Sequence, residues 1–304
     1  MQLITVFTPT YNRAYIIEKL YKSLQQQTKK NFEWIIVDDN SSDNTENLID
    51  TFIRDDNDFS IKYIKQKHGG KHRAINKALK VAEGKYFFIV DSDDQLTNNA
   101  IELINQWVVE VDSDDQICGV SGECIYPTGE YIGSKAKVSR GDYVDATFLD
   151  KSKINLSGDK AEVYKTEVLK KFPFPEFEGE YFVTESLVWD AIGAAGYKIR
   201  WYNEPIYICE YLEDGLTKTG ANEIQGHIDN YQGFLAYIKQ CRQVHSKYDY
   251  VLNFSDYERT AKFLKLSWRQ RASELDMDIV TYISYKVMIR PLVLFIRKVR
   301  RLVR

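Results

Sequence analysis

Short apolar runs alternate with amphipathic stretches through the N-terminal part of the chain, and the two periods predict different elements. Leu3-Ile4-Thr5-Val6-Phe7 is rich in β-branched residues and predicts a strand, which Pro9 should end because proline cannot donate to a central ladder. From Ala14 to Gln27 the apolar positions Ile17, Leu20, Tyr21 and Leu24 recur at helical spacing. Phe32 to Val37 predicts a second strand, Thr45 to Arg54 a helix behind a loop of capping residues, and Ile61 to Ile64 a short third strand. Gly69-Gly70 opens a helix over Lys71 to Ala82, and Glu83-Gly84 closes it. Lys85-Tyr86-Phe87-Phe88-Ile89-Val90 has the continuous apolar character of a buried strand, and a helix from Asn98 to Val109 follows. This alternation predicts an α/β fold, with a mainly parallel sheet covered by helices on both faces.

Three of the strands run into polar loops: Thr8-Pro9-Thr10-Tyr11-Asn12-Arg13, the stretch from Asp38 to Thr45, and Asp91-Ser92-Asp93-Asp94. In a parallel sheet these loops share the carboxyl edge, where open α/β sheets bind ligands. A second Asp-Ser-Asp-Asp, Asp112 to Asp115, follows a helix instead of a strand and should therefore be surface charge at the opposite edge. From Gly119 to Tyr181 shorter strands, Gly and Pro predict a mixed, partly antiparallel region, with Phe172-Pro173-Phe174-Pro175 extended. Glu180 to Ala194 then predicts a helix and Ile199 to Cys209 strand. Past Asn222, Gly and Pro almost vanish, and Ile224, Ile228, Tyr231, Phe234 and Ile238 recur at helical spacing. Two domains are expected, residues 1–218 and a helical extension over 219–304.

With 304 residues, 44% hydrophobic and 28% charged, the chain suits one large domain with an appendage. A net charge of −3 excludes bulk attraction to nucleic acid, but it is unevenly spread, with seven Lys/Arg and no acid from Lys286 onward. There Leu292, Phe295, Ile296, Val299 and Val303 fall on one helical face, flanked by Arg290, Arg297, Lys298, Arg300, Arg301 and Arg304. A basic amphipathic helix beside an acidic body predicts contact with an anionic membrane surface; the alternative is a helix packed on the protein itself. The opening MQLITVFTPTYNR is not a charged leader with an apolar core, so no signal peptide is expected. No run of about 18 apolar residues predicts a membrane span. Cys118, Cys124, Cys209 and Cys241 form no CxxC pair or zinc spacing and read as the reduced thiols of a cytosolic protein.

Carboxylates at i and i+2 on an extended chain point the same way, and oxygen-only ligands suit Mg²⁺ or Mn²⁺ with positions left for phosphate oxygens. Asp91, Asp93 and Asp94 are therefore expected to hold a divalent cation that in turn holds a diphosphate; a capping and turn cluster is the bland alternative.

Taken together, TPTYNR at 8–13, VDDNSSDNT at 37–45, GGKHRAINKAL at 69–79 and DSDD at 91–94 resemble, in order and spacing, the family-2 nucleotide-sugar glycosyltransferases of the GT-A fold. The resemblance spans roughly residues 2 to 215 and implies a GT-A fold with a mainly parallel Rossmann-like sheet; the C-terminal helical extension lies beyond it. It implies that Pro9, Thr10, Tyr11, Arg13 and Asp39 contact the nucleotide, Tyr11 by stacking on the base and Asp39 by accepting an imide N–H. It implies that Gly70, Lys71 and Asn76 also serve the nucleotide-sugar, Gly70 and Lys71 by cradling phosphate at a helix start. Asp91 would lie near the ribose, Ser92 would also contact the nucleotide-sugar, and Asp91, Asp93 and Asp94 would bind Mn²⁺ or Mg²⁺. The family's general base lies in Glu-Asp followed by an apolar-Trp pair; the matching segment here is Thr184-Glu185-Ser186-Leu187-Val188-Trp189. Thr184 replaces the first acid and Glu185 the usual Asp, so Glu185 is the expected base, its alternative being a first-turn acid that steadies the helix. Asp159 is a further acid that could face the acceptor.

The expected function is inverting transfer of a sugar from a nucleotide-sugar, UDP-linked, to a hydroxyl of a glycan or lipid-linked acceptor in surface polysaccharide biosynthesis. The expected location is cytoplasmic, peripheral on the inner face of the cell membrane, and a homo-oligomer stays open. A Mg²⁺-dependent sugar nucleotidyltransferase is the alternative enzyme, but it would carry a Gly-rich basic loop where TPTYNR stands. A non-catalytic membrane-surface sugar-binding scaffold is the alternative outside enzymes, and intact Asp91, Asp93 and Glu185 stand against it.

Overall fold

The structure, a computed structural model, describes residues 4–138, 142–212 and 224–295. They divide into two compact units. One comprises the described residues up to Phe174 together with Val188–Leu212; the other comprises Pro175–Leu187 and the described residues from 224 onward. The expected boundary at 218/219 falls outside the described residues.

In the first unit, β1 (Ile4–Thr10), α1 (Ile17–Gln25), β2 (Phe32–Asp38), α2 (Thr45–Arg54), β3 (Ser60–Lys65), α3 (Lys71–Val81) and β4 (Tyr86–Ile89) follow the predicted alternation. They are succeeded by β5 (Gln95–Leu96), α4 (Ala100–Val111), β6 (Ile117–Ile125), β7 (Tyr143–Ala146), β8 (Lys160–Lys165), α5 (Thr166–Lys171), α6 (Ser186–Ala194), whose first two residues fall in the second unit, and β9 (Lys198–Ile208). The sheet order is β3-β2-β1-β4-β8-β6-β9-β5, with β7 paired to β9. Strands β1 to β4 are mutually parallel, and β8 joins antiparallel to both β4 and β6. Parallel pairing of β2, β1 and β4 brings the three polar loops to one edge, as the strand pattern predicts.

Pro9 does not end β1, which runs on to Thr10 with Pro9 opposite Val37. The ladder to β4 stops at Phe7 opposite Ile89, so no bond on that side requires a proline N–H. Ile4, Val6, Trp34, Ile36, Tyr86 and Phe88 form the centre of the core, and α1 buries Ile17, Leu20, Tyr21 and Leu24 against it. At the amino edge, Gly84 N–H donates to Thr5 Oγ1 at 3.0 Å and to Glu33 Oε1 at 3.1 Å. A Cβ at Gly84 would lie 2.3 Å from Thr5 N, so only glycine fits this turn. Asp112 is at this same edge, its carboxylate paired with Lys85 at 2.5 Å and accepting from Tyr86 Oη at 3.1 Å.

Glu123 on β6 lies opposite Lys160 on β8, and their side chains form a 2.8 Å ion pair that is 1% exposed on each side. Lys160 Nζ also donates to the carbonyls of Ile132 and Ser157. Removing one partner of such a pair strands a buried charge, at a cost of about 3–5 kcal/mol. We expect Glu123→Ala to lower the thermal melting temperature markedly and Glu123→Leu combined with Lys160→Met to recover most of the loss. Equal melting of the single and double variants would contradict this.

The second unit contains α7 (Ile224–Asp229), α8 (Tyr231–Val244), α9 (Lys247–Phe263), α10 (Trp268–Glu274) and α11 (Ile279–Ser284), which continues as a π-helical turn (Tyr285–Ile289). Its core gathers Ile238, Cys241, Tyr250, Phe254, Tyr257, Leu275 and Tyr282. The helix expected from Glu180 begins only at Ser186. The preceding residues stay outside the helix because α8 claims them: Glu180 accepts from Gln232 N–H at 2.6 Å and Gly233 N–H at 2.9 Å, capping the helix. Asn230 Oδ1 accepts from the N–H groups of Tyr181 and Phe182.

Among the described residues no helix is long and apolar enough to cross a membrane. Of the predicted basic amphipathic helix, Arg290, Leu292 and Phe295 are described, while the positions from Ile296 onward lie outside the described residues.

Candidate active site

The loops after β1 and β2 are stitched into one surface. Asn12 Oδ1 accepts from Ser42 N–H at 2.8 Å, Asn12 N–H donates to Ser41 Oγ at 2.8 Å, and Ala14 N–H donates to Asp43 Oδ2 at 3.0 Å. Asn12 and Asn40 adopt left-handed backbone with φ of 54° and 70°, a conformation Asn tolerates better than most side chains. Arg13 is anchored through its N–H to Thr45 Oγ1 at 3.3 Å, and its guanidinium donates to Tyr15 Oη at 2.6 Å.

Asp39 is buried at the end of β2, and the β3–α3 loop converges on it. Oδ1 accepts from Gln66 Nε2 and Gly69 N–H, both at 2.8 Å; Oδ2 accepts from Gly70 N–H at 2.8 Å, with His68 Nδ1 at 2.9 Å. The Gly70 N–H expected to cradle a phosphate is therefore already given to Asp39. Gly70 has φ of 91°, a left-handed value that favours glycine and turns the chain into α3. Tyr11, 46% exposed, stacks on His68 with ring centroids 4.5 Å apart. Thr10 is buried, and its carbonyl accepts from Asp39 N–H.

Beyond β4 the acidic cluster has unequal members. Lys71 Nζ lies 2.7 Å from Asp91 Oδ1 and 2.9 Å from Oδ2. Asp94 is nearly buried; its Oδ2 accepts from Tyr207 Oη at 2.8 Å and its Oδ1 from Glu210 N–H at 2.8 Å. The same Tyr207 hydroxyl accepts from Asp91 N–H at 2.9 Å, so one group fixes both ends of the turn. Burial, with Asp91 close by, pushes the Asp94 carboxyl up to about 7, while Glu210 N–H and Tyr207 pull against it. Burial and Asp91 likewise raise Asp93, with Arg13 and Lys71 acting in the opposite sense. Ser92 is buried within the turn.

Asn76 and Asp159 make other contacts. The Asn76 amide closes two 2.9 Å hydrogen bonds with the backbone of Phe174, so α3 uses it as a clamp on that segment. Asp159 accepts from the hydroxyl of Tyr211. Glu185 belongs to the second unit, half-buried and immediately before α6. Tyr207, Glu210, Gln66 and His68 are the site residues that sequence reasoning missed. Of these only His68, beside Gly69-Gly70, carried a local signal.

Residues 5–172 match the family described as Glycosyl transferase family 2. A Campylobacter jejuni GalNAc(5)-diNAcBac-PP-undecaprenol beta-1,3-glucosyltransferase is 28% identical over 200 residues, 62% of this chain and 59% of that protein. The chain spans 37% to 59% of the length of the first curated relatives it matches. In structure it is similar to Staphylococcus aureus TarS 1-349 in complex with UDP-GlcNAc, with a TM-score of 0.64 and 20% identity over 93% of this chain and 81% of that one. It is also similar to the Pyrobaculum calidifontis mannosyltransferase PcManGT in complex with GDP-Man and Mn²⁺, with a TM-score of 0.54 and 18% identity over 98% of this chain and 79% of that one. The fold is thus that of the GT-A enzymes, an α/β sheet with C-terminal helices. With more than half of its length matched, the chain belongs to glycosyl transferase family 2.

Proposed function

We propose that the protein is a metal-dependent, inverting glycosyltransferase that uses a UDP-sugar and acts in cell-surface polysaccharide synthesis. The observation that carries this is the acidic turn after β4, which gathers the carboxylates of Asp91, Asp93 and Asp94; burial and mutual repulsion raise Asp93 and Asp94, and Lys71 pairs with Asp91. An oxygen-only donor set fits Mn²⁺ or Mg²⁺. Asp91 and Asp93 would hold the ion, and Asp94, tied to Tyr207 and Glu210, would set the turn's shape from behind and offer any remaining lone pair. When bound, such an ion neutralises charge on a departing diphosphate.

The chain's own residues supply the rest. Tyr11, backed by His68, offers a ring for a nucleobase at the edge where Pro9, Thr10 and Asp39 hold the loops together. Asp39 acts by organising the β3–α3 loop, since its oxygens already accept from that loop. Lys71 and Arg13 bring positive charge to the diphosphate. Glu185 takes the proton of the acceptor hydroxyl as that oxygen bonds to the anomeric carbon. The bond from that carbon to the diphosphate oxygen breaks, its electron pair leaves with UDP, and attack from the opposite face inverts the centre.

The exposed side chains Val280, Val287, Met288, Leu292 and Phe295 near the end of the described chain support contact with a membrane surface that carries a lipid-linked acceptor. The basic residues there are partly engaged at home, Lys286 with Glu258 at 2.9 Å and Arg290 with Ser255 at 2.9 Å.

The test is UDP release from a panel of UDP-sugars with Mn²⁺, Mg²⁺ or chelator, with the anomeric configuration of any product read by NMR. Cation-dependent release with an inverted product is expected; a retained product or cation-independent turnover would overturn the mechanism. Tyr207→Phe removes both the acceptor for Asp91 N–H and the donor to Asp94. We expect it to raise the Mn²⁺ concentration needed for half-maximal UDP binding about 10–100-fold, the usual cost of losing an outer-shell partner. An unchanged Mn²⁺ titration would show that Tyr207 only packs.

A further inference from the structure

The second unit contains a recess of about 160 Å³ formed by α7, α8, α9 and the non-helical segment before α6. An engineered cavity of about 150 Å³ accommodates one six-membered ring, so the space is that of a single ring. Its apolar lining is Ile238 and three aromatic residues, Phe182, Phe234 and Tyr237. Its polar lining includes Thr184 and, one turn apart on α9, Asn253 and Asp256. His227 stacks on Phe234 with centroids 3.9 Å apart and planes at 7°, and its Nδ1 lies 3.2 Å from Thr260 Oγ1, which fixes that wall. Burial lowers the His227 pKa, so the imidazole is neutral at neutral pH.

We propose that this recess binds one neutral pyranose ring of the sugar acceptor. Aromatic faces match the C–H faces of a pyranose, while amide, hydroxyl and carboxylate groups match its hydroxyls. An anionic ligand is disfavoured, because the charged lining residue is Asp256, itself paired with Arg259 at 2.5 Å. Thr184 lines the recess and the next residue is Glu185, one Cα step of about 3.8 Å along the chain. A ring held here would lie against the segment that carries the proposed base. The segment is rigidly held, since Glu180 and Asn230 fasten residues 180–182 to the start of α8. The acceptor role rests on Glu185 being the base; sugar binding by the recess does not.

Saturation-transfer NMR on the full chain with the methyl β-glycosides of glucose, galactose, N-acetylglucosamine and N-acetylgalactosamine tests this. At least one glycoside should receive saturation, and Tyr237→Ala and Asn253→Leu should each weaken its binding about tenfold. UDP affinity should stay at the wild-type value in both variants, and an unchanged circular dichroism spectrum and melting temperature report that the helical unit is folded; Asn253→Leu, at a half-buried helical position, carries the test if Tyr237→Ala does not fold. No saturation of any glycoside, or saturation unchanged in the folded variants, would overturn the proposal. If Glu185→Gln still transfers sugar, the base assignment falls, while glycoside saturation decides the recess independently.

Discussion

Glu185→Gln is expected to bind UDP-sugar as the wild type does and to lose transfer by about 10²–10⁴-fold, the range a positioned general base contributes. Gln keeps the length and polarity of Glu but cannot take a proton, so the variant separates chemistry from binding. Glu185 stands immediately before α6, on a segment whose backbone is held by Glu180 and Asn230, so the substitution should not disturb the local fold. The informative comparison is kcat against UDP-sugar Kd. A collapse of kcat at constant Kd supports the base. Normal transfer by Glu185→Gln would place the base elsewhere, and an equal loss of binding would make Glu185 a structural acid at the helix start.

Asp93→Asn should act differently, weakening donor binding and transfer together. It removes a carboxylate from a cluster whose role is to attract a cation, and it relieves the repulsion that Asp91 and burial impose on Asp93. Without a cation the protein should therefore tolerate the change or gain stability, whereas kcat/KM with Mn²⁺ should fall about a hundredfold or more. Stability and activity moving in opposite directions is the signature of a charge retained for ligand binding. A variant that loses stability and keeps Mn²⁺-dependent activity would show instead that Asp93 is a turn residue.

The parts of this site that were legible in the sequence are those that local pattern determines. A β-branched run predicted β1, a largely apolar run β2 and an unbroken apolar run β4, and parallel pairing then required their loops to share an edge. The two Asp-Ser-Asp-Asp stretches were separable because one follows a strand and the other a helix, and Asp112 does pair with Lys85 at the far edge. What the sequence hid is what tertiary pairing supplies. Tyr207 reaches Asp94 across 113 residues because β9 enters the sheet late, and an apolar strand gives no sign of which tyrosine will turn its hydroxyl to an acid. Asp39 looked free to meet a base, yet the turn around Gly69-Gly70 folds back onto it. The segment from Glu180 to Glu185 has helical composition but stays non-helical, because its acid caps the start of α8 and its backbone amides bond Asn230. Helix propensity there is outweighed by capping partners distant in sequence.

The central claim, that the acidic turn makes donor binding depend on a divalent cation, is tested most directly by calorimetric titration of UDP into the wild-type protein with Mn²⁺ and again with excess chelator. The account predicts saturable binding with Mn²⁺ that chelator abolishes and Mn²⁺ restores. Equal affinity in the two titrations, or no UDP binding in either, would contradict it.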